Sequence, residues 1–279
     1  MSRVTTRRKT LRISPAGHIR RPDTLAVEEP LELRIDGEPL TVTMRTPGND
    51  IDLAYGFLFG ENLIGSVDDI VSARYCAGTD AEGHNTYNTL DIHLRTPVPL
   101  PSRRFITNSA CGLCGRTALD DVLSRTRFPA AAHDFTMEAA TLIELPDKLR
   151  SRQSAFTTTG GLHAAGLFTA DGTALVVRED VGRHNAVDKV IGWALRENRI
   201  PAADLVLMVS SRASFELVQK AVTAAIPILA AVSAPSSLAV DLAAEAGLTL
   251  IGFLRGETMN VYATTERITT EIPAHHSED

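Results

Sequence analysis

Between Glu28 and Thr46 the apolar residues fall on every second position, Leu31, Leu33 and Ile35 and then Leu40, Val42 and Met44, with Asp36-Gly37 between the two runs. A period of two marks a half-buried strand, and Asp-Gly accepts the positive φ angles of a tight turn, so the pattern predicts a β-hairpin. The period then lengthens. Ile51, Ala54, Tyr55 and Leu58 share one helical face behind a cap at Asn49 or Asp50, which predicts a helix to about Asn62 with Leu53, Phe57 and Phe59 widening its apolar surface. Two more strands are expected over Ile70–Cys76 and Leu90–Arg95, with Cys76 as a small buried hydrophobe at the end of the first. Helices are expected from Thr117 and from Met137 to Ser151, the second kinked or ended by Pro146.

The second half alternates more regularly. Strands are predicted over residues 164–169, 173–178, 205–210, 228–232 and 248–254, and helices over 185–198, 214–224 and 237–246. Strands written as continuous apolar runs and separated by helices argue for a sheet covered by helices, hence an α/β class, α+β overall once the strand-rich first half is included. The composition shift at Phe128-Pro129-Ala130-Ala131-Ala132 places the expected domain change near residue 130.

Four predicted strands run into polar segments: residues 178–185, Ser210-Ser211-Arg212, residues 233–237, and Phe253-Leu254-Arg255-Gly256. A fifth polar stretch, Thr157 to His163, precedes a strand. Hydroxyls, glycine amides and arginines gathered at the carboxyl edge of a sheet suit an anionic, phosphate-bearing ligand. Each also has a plain structural reading, as a cap, a turn or a hydrogen-bonded histidine. Neither G-x-G-x-x-G nor a P-loop is present.

Charge is unevenly distributed. Seven of the 28 basic residues precede Asp23 and none of the 34 acidic ones do, which leaves the body with 21 against 34, a formal charge near −13. Such a body is a poor binder of nucleic acid. Residues 1–22 are expected to form a basic, disordered tail, followed by an N-terminal domain over 23–130 and a larger domain over 131–279. The longest apolar stretch, Ala224 to Val232, contains a proline and is too short for a membrane span. No apolar segment of a secretory signal follows the basic start, so a cytoplasmic location is expected.

Two of the three cysteines stand in Cys111-Gly112-Leu113-Cys114-Gly115-Arg116. A thiol reacts as its thiolate, and a nearby cation and the amides of a following helix lower its pKa. Half a zinc site is the structural alternative, but zinc needs four ligands, and neither Cys76 nor any closely spaced histidine pair supplies the rest. Redox or sulfur-transfer chemistry without zinc is therefore expected.

Cys111-Gly112-Leu113-Cys114-Gly115, Thr159-Gly160-Gly161-Leu162-His163, the run from Arg178 to Lys189, Ser211 to Glu216 and Ser233 to Ser237 together resemble the FdhD family, the formate dehydrogenase accessory sulfurtransferases. The resemblance implies a sulfur carrier that accepts a persulfide from a cysteine desulfurase and passes it to the molybdenum cofactor before insertion into apo-formate dehydrogenase. It further implies the bis-molybdopterin guanine dinucleotide form of that cofactor, with GDP as its mimic. A homodimer and a cytidine-deaminase-like three-layer sandwich for the larger domain, beside a smaller N-terminal mixed β domain, also follow from the resemblance. The zinc signature of the deaminases is absent. By the same resemblance Cys111 carries the persulfide, Cys114 is an auxiliary thiol, and Phe253-Leu254-Arg255-Gly256-Glu257-Thr258 is the cofactor-binding stretch. His163, Arg183, His184 and Arg212 join the binding set on charge and position. The competing readings are a thiol-disulfide oxidoreductase, for which the C-x-x-C comes too late in the chain, and a nucleotide-binding chaperone with incidental cysteines.

Overall fold

The structure, a computed structural model, describes residues 4–76, 78, 86–99, 105–106, 122–124, 126–128 and 134–270. It divides into two compact units. The first takes Met1–Cys114, Gln153–Ala165 and Arg178–Arg199, and the second Gly115–Arg152, Gly166–Val177 and Ile200–Asp279. The division is interleaved, where a single boundary near residue 130 is expected from the sequence, because two helices and parts of two strands from the middle of the chain return to the first unit.

In the first unit, β1 (Thr5–Ser14) and β2 (Gly17–Ala26) form an antiparallel hairpin. A disordered tail was expected here from charge density, which masked a Pro15-Ala16-Gly17 turn between runs containing Thr and Ile. The predicted hairpin follows as β3 (Glu29–Ile35) and β4 (Glu38–Arg45), with Asp36 and Gly37 both at positive φ in the turn. They join β5 (Ile70–Tyr75), β6 (Thr89–Leu94) and β7 (Phe105–Ile106) in a five-stranded sheet of order β5-β6-β3-β4-β7. Helix α1 (Asp50–Gly60) lies between β4 and β5 in sequence.

The second unit opens with β8 (Met137–Glu138) and α2 (Ala139–Ser151), a helix that runs through Pro146 rather than ending there. The chain then forms the short α3 (Ser154–Thr159), which belongs to the first unit, β9 (His163–Phe168) and β10 (Ala174–Asp180), each divided between the units, and α4 (Arg183–Arg196), again of the first unit. The regular alternation follows: β11 (Val206–Val209), α5 (Phe215–Thr223), β12 (Ile228–Ala231), α6 (Ser237–Glu245), β13 (Thr249–Arg255) and β14 (Thr258–Ala263). A last short strand, β15 (Ile268–Thr269), pairs with β8. The six-stranded sheet has the order β10-β9-β11-β12-β13-β14, parallel from β11 to β13 and closed by the antiparallel β14. Every residue of β11 and β12 is buried, as expected of strands covered on both faces. The architecture is mixed α/β. Sequence periodicity missed α3 and β14, the first because six residues are too few to show a period and the second because Thr258, Asn260 and Tyr262 leave few apolar positions.

Helices α1 and α4 approach backbone to backbone in the first unit. A Cβ at Gly56 would overlap the Asp188 carbonyl and one at Gly192 the Asp52 carbonyl. Gly192→Ala must therefore separate the helices, and overpacking of this kind costs about 1–3 kcal/mol or more. A lowered urea midpoint is expected; an unchanged midpoint would show that the helices do not meet at this distance.

Candidate functional site

The segment from Arg178 to Lys189 leaves β10, turns, and starts α4, and its side chains are fixed one after another. Arg178 donates from Nε at 3.2 Å and from Nη2 at 2.9 Å to the buried Asp52 of α1. Glu179 accepts from the amides of Ala155 at 3.0 Å and Phe156 at 2.7 Å, so its carboxylate caps the N-terminus of α3. Asp180, wholly buried, meets Lys189 Nζ at 2.7 Å and accepts from the amides of Thr46 at 3.1 Å and Gly182 at 2.8 Å and from Asn185 Nδ2 at 3.1 Å. Lys189 donates also to the carbonyl of Thr46 at 2.9 Å. Asn185 donates to the carbonyl of Met44 at 2.8 Å and accepts from Thr43 Oγ1 at 3.2 Å. The Val181 amide donates to Thr46 Oγ1 at 3.1 Å. Strand β4, the turn and the first two turns of α4 are thereby one hydrogen-bonded body, held by polar groups that are satisfied together.

This frame presents Arg183 and His184 at the N-terminus of a 14-residue helix. His163, at the start of β9, follows the helix that Glu179 caps, and that helix ends at Gly160 in the left-handed conformation. The three side chains lie within electrostatic reach of one another. Burial first, and the Arg183 guanidinium second, hold the His163 imidazole below the ordinary histidine range; Asp180 pulls the other way and His184 adds to the lowering. Arg183 Nε is buried and has no hydrogen-bond partner among the described residues. A buried donor without a partner costs free energy. An oxyanion here would satisfy it and would also lie at the positive end of the α4 dipole.

The remaining residues expected from the sequence to bind fall in the second unit. Arg212 is exposed in the loop after β11, and the Ser233–Ser237 segment follows β12. The two loops are joined: the Ala213 amide donates to the Ala234 carbonyl at 3.2 Å and the Ser236 amide to the Ala213 carbonyl at 3.0 Å. Phe253 joins them through its amide, which donates to the Ser233 carbonyl at 3.3 Å. Gly252 permits this approach, since a Cβ there would stand 2.8 Å from Pro235 Cδ. Phe253 itself sits at φ 51° in a bulge of the β13–β14 ladder, a conformation costly for an aromatic residue. Its ring lies 5.4 Å from the Arg255 guanidinium carbon. Leu254 is buried, whereas Arg255, Gly256, Glu257 and Thr258 are exposed around the β13–β14 turn. The stretch read as a loop beyond a strand is thus a bulged hairpin. Ser214, where α5 begins, has a buried Oγ with no hydrogen-bond partner among the described residues.

Cys111 and Cys114 lie outside the described residues; the nearest described strand before them is β7, at the edge of the five-stranded sheet beside β4. Cys76 is a free, half-buried thiol. Among the described residues no group of three or more His, Cys, Asp or Glu is placed to hold a metal ion, and no helix is long and apolar enough to cross a membrane. The residues that position the site, Thr46, Asp180, Asn185 and Lys189, were not singled out from the sequence. The available signal was the density of polar residues in a segment that opens an otherwise apolar helix, which is unusual unless they pair with each other.

The FdhD/NarQ family model matches residues 26–269. A relative from Nocardia farcinica called sulfur carrier protein FdhD is 71% identical over 266 residues, 95% of each chain. Relatives of the same name from Mycolicibacterium paratuberculosis and Streptomyces avermitilis are 57% and 54% identical, over 95% and 98% of this chain and 99% of each of theirs. A crystal structure described as a candidate formate dehydrogenase accessory protein from Desulfotalea psychrophila superposes with a TM-score of 0.75 at 25% identity, over 96% of this chain and all of that one.

Replacing Asp180 with Asn leaves the Lys189 ammonium buried without its carboxylate, a change worth about 3–5 kcal/mol. Chemical unfolding should show that loss, and Lys189→Met in the same chain should restore part of it; equal midpoints for all three proteins would mean the pair holds nothing. His163 is expected to titrate below the ordinary value of 6.5. The unfolded chain then binds the extra proton first, so stability contributed by neutral His163 is lost as pH falls from about 6.5 towards its folded pKa. NMR titration of the ring measures the midpoint, and one above 6.5 would contradict this environment.

Proposed function

The chain belongs to the FdhD/NarQ family, and on that premise we propose that it is a cytoplasmic sulfur carrier for the maturation of formate dehydrogenase. In this reading the thiolate of Cys111 attacks the terminal sulfur of a persulfide on a cysteine desulfurase. The desulfurase thiolate leaves, and Cys111 holds the terminal sulfur as a persulfide. That sulfur then passes to the molybdenum cofactor in its bis-molybdopterin guanine dinucleotide form before the cofactor enters apo-formate dehydrogenase. The cofactor is cargo, received by its phosphates.

The observation that carries the sulfur role is the near full-length identity to relatives called sulfur carriers. The cofactor role is supported by Arg183, His184 and His163 around a helix N-terminus, with Arg183 Nε unpartnered among the described residues. The second-unit edge, with Arg212, Phe253 and Arg255, offers an aromatic ring and two further cations. Rigid scaffolding suits the binding of cargo, and glycines 112 and 115 suit a thiol that must meet two partners.

Incubation with a desulfurase and labelled cysteine is expected to add one sulfur to the intact mass of the parent protein and none to Cys111→Ala, with Cys114→Ala less affected. Arg183→Ala, His184→Ala and Arg255→Ala should load sulfur normally yet bind GDP roughly ten- to a hundredfold more weakly, as the loss of one charge-assisted hydrogen bond implies. Normal loading of Cys111→Ala would remove the carrier reading. Unchanged GDP affinity in all three of these variants would move the cofactor elsewhere.

A further inference from the structure

Helix α3 has little of its own to hold it. It is six residues long, its N-cap Gln153 makes no side-chain cap bond, and Thr157, Thr158 and Thr159 form a β-branched run. Each threonine hydroxyl donates back to the carbonyl four residues earlier, at 2.8, 3.1 and 2.8 Å, an arrangement that loosens a helix. Strand β2 packs against α3, but the amides at its start are taken by Glu179, Ala155 at 3.0 Å by one oxygen and Phe156 at 2.7 Å by the other. The chain leaves α3 through the left-handed Gly160 and reaches His163 three residues later.

Glu179 is itself set by the frame that carries Arg183 and His184. Lys189 Nζ donates to its carbonyl at 3.4 Å, and its neighbours Arg178 and Asp180 are pinned to Asp52 and Lys189. One carboxylate therefore ties a weak helix to that frame. We infer that Glu179 is a positioning residue of the anion site: acting through α3, it sets where His163 stands against Arg183. The inference rests on the reading of that site as a phosphate seat. The residue type follows from the two converging amides. Gln would offer one oxygen and turn a donor towards the second amide, and Asp would keep both oxygens but fall one methylene short.

NMR titration of His163 in Glu179→Gln and Glu179→Asp separates position from charge. The charged and titratable groups felt by this ring are Arg183, Asp180 and His184. Removing a carboxylate by itself lowers a histidine midpoint, whereas releasing the ring from burial and from Arg183 raises it towards 6.5. Midpoints above the parent's are expected in both variants, with GDP bound roughly tenfold more weakly and persulfide loading of Cys111 unchanged. A parent-like or lower midpoint in a variant folded by circular dichroism would overturn the inference, whatever GDP does; if one variant does not fold, the other decides. GDP affinity that stays at the parent's level while the midpoint has risen would count against the phosphate reading and leave the positioning of His163 standing.

Discussion

The pairing of Asp180 with Lys189 inside the first unit is the constraint on which the site depends. Two charges removed from water are tolerable only if each is fully satisfied. Asp180 meets this with four donors, one of them the Thr46 amide, and Lys189 donates to the Thr46 carbonyl as well as to Asp180. The partners come from Thr46, the residue after β4, from the turn at Gly182 and from α4, so satisfying the pair fixes the order and direction of all three. Arg45 does the same work one strand end away, fully buried with a bidentate contact to Asp50 at 3.1 Å on both nitrogens. Asp52 receives Arg178 and Arg196. The polar interior of the first unit therefore serves geometry, with Arg183 and His184 following it at the N-terminus of α4.

That division explains why the Arg178–Lys189 segment mixes so many charges in so few residues. Arg178, Glu179 and Asp180 point to α1, α3 and α4 in turn, each with a partner. Arg183 and His184 come next, where the amides of a long helix begin. A phosphate-bearing ligand bound there would meet donors already held in place, so little ordering free energy would be lost on binding. The lowered pKa of His163 belongs to the same design, since a neutral ring adds no positive charge beside the Arg183 guanidinium before an anion arrives.

Much of the fold was legible because periodicity reports burial. The β3–β4 hairpin, α1, and the alternating strands and helices from β9 to β13 all lie where apolar spacing put them. The β1–β2 hairpin was not legible, because its apolar residues are not buried and so follow no core-facing pattern. The interleaved units were hidden for a different reason: pairing between distant segments leaves no trace in local spacing. In the site, the sequence pointed to Arg183, His184 and His163 by charge and place, and the structure brings these three together. It could not point to Asp180 or Lys189 as their support, since an ion pair nine residues apart across a turn looks like two solvated charges until burial is known.

The most direct test of the central claim, that the tip of α4 receives the cofactor's phosphates, is the titration of His163 followed by NMR with and without saturating GDP. A diphosphate beside Arg183 and His184 stabilises the imidazolium, so the midpoint should rise from its depressed value when GDP is bound. A midpoint that stays where it was, in a sample shown by calorimetry to be saturated with GDP, would contradict the account.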